Sequence, residues 1–523
     1  MAVCFFAVKK GKIMFAKVVG YTLIGLSGVA VDVEVDVNNG LPAFDVVGLA
    51  DTAVKESKER IRSALKNSNR AFPTRKVIVN LAPADVKKEG SVLDLPLAIG
   101  VLISSGQLNI GEGEDKFDLK GTVLMGELSL DGSLRRVNGV LPAIISAIED
   151  GYTKFIIPKA NEKEASYVEG AQVYAAENLT EVIDHISGLT KIKPLEKHLF
   201  KSHASENIYD TDIAFVKGQK VAKRALEIAV AGGHNLLFVG APGTGKTMLA
   251  KCIPTIMPDM TFEEALETTK IHSVAGQLND EDGIVFKRPF RSPHHTATMV
   301  AMAGGGTKAK PGEISLAHNG VLFLDEMPEY TRQTLEVLRQ PLEDGVISVS
   351  RAAISVKYPA NFMLCGSMNP CPCGNYGSAD KICTCSPAQI VKYKSKISGP
   401  LLDRIDIQVQ VDEVKYAELT ANEENETSKT VKERVNRTRL IQKERFKNDG
   451  ILTNANMGEK QLNKYCRLSE ECEKILKNAY EHLHLSPRAR SRIIKVARTI
   501  ADMALYDDIR PEHLLEAISY RQS

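Results

Sequence analysis

Gly240-Ala-Pro-Gly-Thr-Gly-Lys246-Thr247 constrains this chain more than any other stretch. It lies between an apolar run, Leu236-Leu237-Phe238-Val239, and a helix-like start, Met248-Leu249-Ala250. A strand, a glycine-rich turn and a helix in that order make a phosphate-binding loop. Gly240, Gly243 and Gly245 let backbone N–H groups turn inward, Pro242 and Thr244 shape the turn, and the helix adds its positive end. Lys246 is placed to reach the β/γ-phosphates and the Thr247 hydroxyl to hold Mg²⁺. A glycine-rich loop of another kind is the alternative, but it has no need of the full spacing. The expected ligand is a nucleoside triphosphate.

Turnover needs a second acidic site. Val321-Leu322-Phe323-Leu324 is an unbroken apolar run ending in Asp325-Glu326, the pattern of a buried parallel strand. Asp325 at the strand end is placed to hold Mg²⁺ through water, and Glu326 to polarise the attacking water. The competing reading is an acidic surface turn. Together the two motifs predict an ATPase using ATP and Mg²⁺.

The 523 residues suffice for two or three domains, with 43% hydrophobic and 25% charged residues as in ordinary globular proteins. A net charge of +2 means that any nucleic-acid contact must come from local basic surfaces. No apolar stretch is long enough to span a membrane. The first ten residues are apolar and then basic, the reverse of a signal peptide, so the expected address is the cytoplasm. Met14 is an alternative start, which would make residues 1–13 an extension.

Four of the nine cysteines cluster as Cys371-Pro-Cys373 and Cys383-Thr-Cys385, two C-x-C pairs nine residues apart. Four thiolates can surround Zn²⁺ in a closed structural site, although the usual spacing is C-x₂₋₄-C. A redox pair and free thiols in a reducing compartment are the other readings. Cys4, Cys252, Cys365, Cys466 and Cys472 read as small apolar residues.

Three regions follow an N-terminal extension. Residues 14–187 alternate strand-like runs, such as Val31–Val37 and Lys76–Asn80, with helical ones at Leu93–Leu102 and Val140–Ile148. Residues 188–210 lack a period and read as a linker. Residues 211–412 alternate strands and helices around the phosphate loop, which predicts a parallel sheet covered by helices. Residues 413–523 are helical, with stripes at Ile475, Leu476 and Tyr480 and at Ile493, Ile494, Ala497 and Ile500.

Several motifs in one order carry a family resemblance: Phe215-Val-Lys-Gly-Gln, the phosphate loop, Pro311-Gly-Glu-Ile-Ser-Leu-Ala-His-Asn-Gly leading into Asp325-Glu326, and Leu401-Leu-Asp-Arg-Ile-Asp. They resemble the magnesium-chelatase-like AAA+ ATPases, and from about residue 14 the chain is similar to the ComM/YifB family within them. The fold class implied is α/β: an AAA+ P-loop domain at 211–412 with a parallel sheet, and a helical lid at 413–523. Before them, at 14–187, comes an α+β domain like that of Lon proteases (the ribosomal S5 domain 2-like fold). The resemblance also implies a homo-oligomer, a hexameric ring driving DNA branch migration of recombination intermediates, with single-stranded or branched DNA as partner and no membrane partner.

The resemblance assigns roles. Asn369, after the apolar run Phe362–Met368, matches the sensor-one asparagine that orients water near the γ-phosphate; a strand-end Asn capping a turn is the plainer reading. Arg404 matches the arginine finger offered to the ATP of a neighbouring subunit. A salt bridge to Asp403 or Asp406 is its alternative. Arg488 matches sensor two on the lid, with Arg492 one turn on as its rival.

Ile347 and Val349 alternate with Ser348 and Ser350, and Ile354 and Val356 with Ser355 and Lys357, around Arg351-Ala352-Ala353. This reads as a hairpin with a basic tip, resembling the pre-sensor-one hairpin of ring helicases, where Arg351 can follow a phosphate backbone. A hairpin that only packs on a neighbour is the alternative. Arg288 and Arg291, in Arg288-Pro-Phe-Arg291-Ser-Pro-His-His295, form a second basic segment and further DNA-contact candidates. The basic helix-like run Lys429–Lys447 is equally a solvated face.

The Lon-like region raises a protease reading, which needs a Ser nucleophile and a Lys base. Gly90-Ser-Val-Leu-Asp94 puts Val92 where the nucleophile belongs, and Gly132-Ser-Leu-Arg135 puts an arginine where the base belongs. Ser91, one position away, would still lack its lysine, so the domain is expected to be a ring-forming or DNA-contacting platform. The favoured function is a DNA-translocating ATPase. A chelatase-type or protein-remodelling ATPase and a nucleotide-switched scaffold without turnover are the alternatives.

Overall fold

A computed structural model describes residues 15–110, 117–198, 200, 209–278, 283–306, 309–351, 354–378, 381–414, 425–483 and 485–521. The expected extension at 1–13, the alternative start Met14 and the hairpin tip Ala352-Ala353 lie outside them. The chain forms two compact units. One comprises residues up to Lys201 with Ala265–Val285; the other comprises Ser202–Glu264 with Phe286–Ser523.

The strands of the first unit are β1 (Phe15–Ile24), β2 (Ser27–Asn38), β3 (Ala43–Val47), β4 (Lys76–Ala82), β5 (Thr122–Leu124), β6 (Glu127–Leu128), β7 (Leu134–Arg135), β8 (Lys154–Pro158) and β9 (Gln172–Ala176). Seven form one sheet in the order β3-β4-β2-β1-β5-β8-β9, and β6 and β7 pair separately. The period-two run in β2 explains its place: Val31, Val33, Val35 and Val37 are buried while Asp32, Glu34 and Asp36 face the other way. The helix Asp94–Ser104 is buried along its whole length, as its almost unbroken apolar sequence requires.

The segment Ala265–Val285 belongs to this unit, although sequence pattern placed it within one continuous 211–412 region. Its anchor is polar. The Ser273 hydroxyl donates to the buried Glu164 carboxylate at 2.8 Å and accepts from the Gly139 N–H at 3.1 Å. Burial raises the Glu164 pKa, and hydrogen bonds from Asn161 and Ser273 oppose that shift.

The second unit is built on β10 (Leu236–Val239), β11 (Phe290–Arg291), β14 (Val321–Leu324), β17 (Met363–Met368) and β18 (Ile407–Gln410), all parallel in the order β11-β14-β17-β10-β18. Between them come the small pair β12 (Gly304–Gly305) and β13 (Lys310–Pro311), and the hairpin β15 (Val346–Arg351) and β16 (Ile354–Pro359). On the hairpin Ile347, Val349, Val356 and Tyr358 are buried while Ser348, Ser350, Ser355 and Lys357 are exposed. The Tyr358 hydroxyl donates to the Ala309 carbonyl at 2.8 Å, so this face packs on its own unit.

The later helices, Ser428–Arg445, Glu459–Tyr465, Glu470–His482, Pro487–Met503 and Pro511–Ser519, share one apolar core with the sheet. The expected stripe Ile493, Ile494, Ala497 and Ile500 is buried in it; of the other stripe Leu476 is buried and Tyr480 is 38% exposed. No described helix is long and apolar enough to cross a membrane.

A buried ionic cluster ties these helices together. Asp502 accepts from both terminal nitrogens of Arg445, from Arg498 Nε at 3.0 Å and from Asn454 Nδ2 at 2.8 Å. Removing the acid leaves buried guanidinium groups without their counter-charge. Asp502→Ala should therefore destabilise this unit by about 3–5 kcal/mol, read from denaturant or thermal unfolding. The exposed Glu481→Ala should change it by no more than about 0.5 kcal/mol.

Candidate nucleotide site

The phosphate loop leaves the carboxyl end of β10 and enters the helix Lys246–Ile256. Gly240 is required by contact: a Cβ there would stand 2.3 Å from the Val411 carbonyl oxygen. Gly245, at φ +91°, makes the turn into the helix in a conformation that side chains disfavour. Lys246 Nζ donates to the carbonyls of Gly240 at 2.7 Å and Ala241 at 2.8 Å, and to Asn369 Oδ1 at 3.3 Å. Burial lowers the Lys246 pKa, and the charges of Asp325 and Glu326 oppose that shift.

The acids stand beside it, after β14. Thr247 Oγ1 donates to Asp325 Oδ2 at 2.9 Å, which brings the two expected Mg²⁺ ligands together. The other carboxylate oxygen accepts from Ser367 Oγ and from the Glu326 N–H, the latter at 3.1 Å. One face of Asp325 is thus fixed by the protein and the other is turned to the Thr247 hydroxyl. Paired oxygen donors of this kind fit Mg²⁺, which keeps several waters and takes few protein ligands.

Glu326 differs from its neighbour. Its backbone is left-handed, at φ +50°, and its side chain is 58% exposed. A non-glycine residue held in this region marks a place where geometry is over-determined. Here the Glu326 N–H donates to Ser367 Oγ at 3.1 Å, fixing the backbone while the carboxylate reaches solvent. His295 Nδ1 lies 3.9 Å from Glu326 Oε2. The Tyr330 hydroxyl holds the histidine's segment by donating to the Pro293 carbonyl at 2.6 Å.

Asn369 directly follows β17, and its amide oxygen accepts from Lys246. Its backbone N–H donates to the Tyr393 hydroxyl, whose pKa burial pushes up to about 12. Sequence reasoning missed Ser367, His295 and Tyr393. A lone hydroxyl within the buried run Met363–Met368 was a usable signal for the first; His295 was read only as part of a basic segment.

Arg404 is 7% exposed and pairs with neither Asp403 nor Asp406; its guanidinium donates to Glu343 and to the Pro400 carbonyl. Arg404 holds the Glu343 pKa below its usual range, and Arg488 contributes to the same shift. Arg404 pairs with this acid, whereas Arg488 acts on it only through its charge. Arg492, the rival of Arg488, is committed to the buried Asp406 and to the Arg404 carbonyl at 3.2 Å. Burial works to raise the Asp406 pKa, but Arg492 and His234 prevail and hold it low.

Arg288 and Arg291, the further DNA-contact candidates, both make bonds within their own unit. Arg288 donates to the carbonyls of Pro258 at 2.6 Å and Asn319 at 2.7 Å and to Glu264 at 2.9 Å. Arg291 makes a two-pronged pair with Glu313, both bonds 2.7 Å. Arg288 bonds through all three guanidinium nitrogens, and Arg291 through Nε and one terminal nitrogen. Arg351 lies at the last position of β15, paired with Ile354 across the turn.

The four clustered cysteines come together: all four sulfurs lie within 4.8 Å of one another. Backbone N–H groups of Asn375 and Thr384 pull the Cys373 pKa down to about 5. In the first unit, Ser91 donates to Glu127, which also lies 4.0 Å from Arg135, and the buried Lys88 ammonium donates to the Pro83 carbonyl.

Three family profiles match the chain: magnesium chelatase, subunit ChlI, over residues 212–419; subunit ChlI of Mg-chelatase over 33–161; and the ChlI C-terminal region over 425–521. The chain is 45% identical to the competence protein ComM of Haemophilus influenzae, covering 95% of this chain and 96% of that one. It is 43% identical to YifB of Escherichia coli, with 95% of each chain covered. The magnesium-chelatase subunit ChlI of Olisthodiscus luteus is 27% identical over 30% of this chain and 49% of its own.

Ser367 grips both acids without facing nucleotide, so its loss should loosen the Mg²⁺ ligand. Ser367→Ala should weaken Mg²⁺-dependent nucleotide binding about 10–100-fold while leaving Mg²⁺-free binding unchanged. Titrating a fluorescent ATP analogue with and without Mg²⁺ measures it; an unchanged Mg²⁺ dependence contradicts the assigned role.

Proposed function

Because the chain belongs to the ComM/YifB family of magnesium-chelatase-like AAA+ proteins, we propose that it is an ATP-hydrolysing ring motor that moves the branch points of DNA recombination intermediates. The observation that carries the reading is the hydrogen-bonded set Lys246, Thr247, Asp325, Glu326 and Asn369, at the carboxyl ends of three adjacent strands. ATP binding replaces the carbonyl partners of Lys246 with β/γ-phosphate oxygens. Thr247 and Asp325 would hold Mg²⁺, which would neutralise charge on the phosphates. Glu326, exposed beside them, takes the proton of the attacking water, and Asn369 orients that water.

Arg404 completes the site from a neighbouring subunit of a homo-oligomeric, six-membered ring. In the single chain its guanidinium is held by Glu343, so the neighbour's phosphate has to compete with that acid. Arg404→Ala should abolish turnover while leaving nucleotide binding intact. Mixing it with Lys246→Ala subunits should restore part of the activity, because some interfaces are then whole. Normal turnover by Arg404→Ala alone contradicts the role.

DNA is assigned to the hairpin β15–β16, because its two alternating strands meet beside a basic residue, Arg351 at the end of β15. The first unit is read as a non-proteolytic platform, since Ser91 is engaged by Glu127 and Arg135 cannot act as a base. The family profiles, described by a magnesium-chelatase subunit, favour a second reading, a chelatase-type or protein-remodelling ATPase. ATP hydrolysis measured with single-stranded, duplex and four-way-junction DNA separates the two. The motor reading expects stimulation that falls steeply with salt, and junction movement that Arg351→Ala loses while keeping basal turnover. Glu326→Gln should retain ATP-dependent DNA binding without turnover. Absence of both DNA binding at low salt and DNA stimulation overturns the motor in favour of the second reading.

A further inference from the structure

We propose that Cys371, Cys373, Cys383 and Cys385 bind one Zn²⁺, and that the knuckle they close is a wall of the phosphate loop, so that metal occupancy sets nucleotide affinity. Cys371 Sγ lies 3.4 Å from Cys373 Sγ and 3.7 Å from Cys383 Sγ, and the last two are 3.6 Å apart. Four sulfurs at the usual zinc–thiolate distance define a tetrahedron with edges of about 3.8 Å. A disulfide would require about 2.05 Å. Three of the sulfurs are therefore spaced as ligands of a common ion, not as a bonded pair, and the fourth, on Cys385, lies within 4.8 Å of them. An all-sulfur tetrahedral set selects a soft or borderline ion, Zn²⁺ before Mg²⁺. The Tyr376 N–H donates to Cys371 Sγ at 3.3 Å, a backbone donor of the kind that steadies a metal-bound thiolate.

The knuckle meets the nucleotide site at two places. Cys371 follows Asn369 by two residues, and Asn369 accepts from the Lys246 ammonium at 3.3 Å. The turn inside the knuckle runs against Pro242 of the phosphate loop. Gly374 has φ +81°, and a Cβ there would stand 2.6 Å from Pro242 Cδ. The cysteine loop thus meets the phosphate loop through its backbone at Gly374, and the residue two before its first cysteine bonds Lys246. Fixing the four sulfurs to one ion fixes both contacts. Releasing them frees a short glycine-containing loop, and the entropy of ordering it must then be met when nucleotide binds.

The coupling rests on the nucleotide-binding reading; the metal does not, and the test keeps them apart. Full-length protein purified without chelator should contain one Zn²⁺ per subunit by elemental analysis, and Lys246→Ala, which cannot hold nucleotide, should contain the same. Stripping the metal should weaken binding of a fluorescent ATP analogue at least tenfold, and added Zn²⁺ should restore it. Because Cys383→Ser can fail to fold, Gly374→Ala gives the second arm: it should keep its zinc yet lose nucleotide affinity, through the contact with Pro242. Metal far below one equivalent, with all four thiols freely titratable, overturns the site. One Zn²⁺ in the purified protein, with affinity unchanged both by stripping and by Gly374→Ala, overturns the coupling. Full zinc with no nucleotide binding by wild-type protein overturns the nucleotide reading and leaves the metal site standing.

Discussion

The Lys246 ammonium is the point on which the second unit turns. A buried cation must be surrounded by acceptors, and this one takes two carbonyls from its own loop and an amide oxygen from the next strand. Only a parallel sheet that sets β17 beside β10 can bring Asn369 there, and only a sheet that sets β14 beside β17 can put Asp325 within reach of Thr247. The strand order is therefore a condition of the chemistry. Burial lowers the proton affinity of Lys246, and two nearby carboxylates hold it up. A phosphate presented to such a group meets a cation already stripped of much of its water, where charge-assisted hydrogen bonds are strong.

Much of the remaining charge serves the fold. Arg288, Arg291, Arg492, Arg445 and Arg498 all reach acids or carbonyls within their own unit. Such pairs add little net stability over apolar packing, yet breaking one is expensive, so they specify a single arrangement of helices around the sheet. Asp406 shows the consequence. By accepting from Arg492 and from the Asn235 N–H at 3.1 Å, it secures the segment that carries Arg404. Arg404 is thereby presented on a rigid support although its own guanidinium is paired with an exposed acid.

Legibility in the sequence followed the range of the interactions. The strands β10, β14 and β17 were readable because a buried parallel strand is a short apolar run, and the phosphate loop because its glycines answer local demands. The hairpin was readable from period two alone. Arg288 and Arg291 looked like a basic surface because the acids that pair with them, Glu264 and Glu313, lie far along the chain and leave no local trace. Glu343 was invisible as the partner of Arg404 for the same reason. The placement of Ala265–Val285 with the first unit depends on Ser273 meeting Glu164, a contact no periodicity encodes. The cysteines were legible as a group, but C-x-C spacing alone could not show that four sulfurs converge.

A nucleotide site finished by a neighbour's arginine works only in an assembly. The most direct measurement is ATP turnover per subunit as a function of protein concentration, with oligomeric state followed in parallel by light scattering. Turnover should rise steeply over the range in which rings form and then level off. Full turnover by the monomer at high dilution would contradict the shared site and the motor built on it.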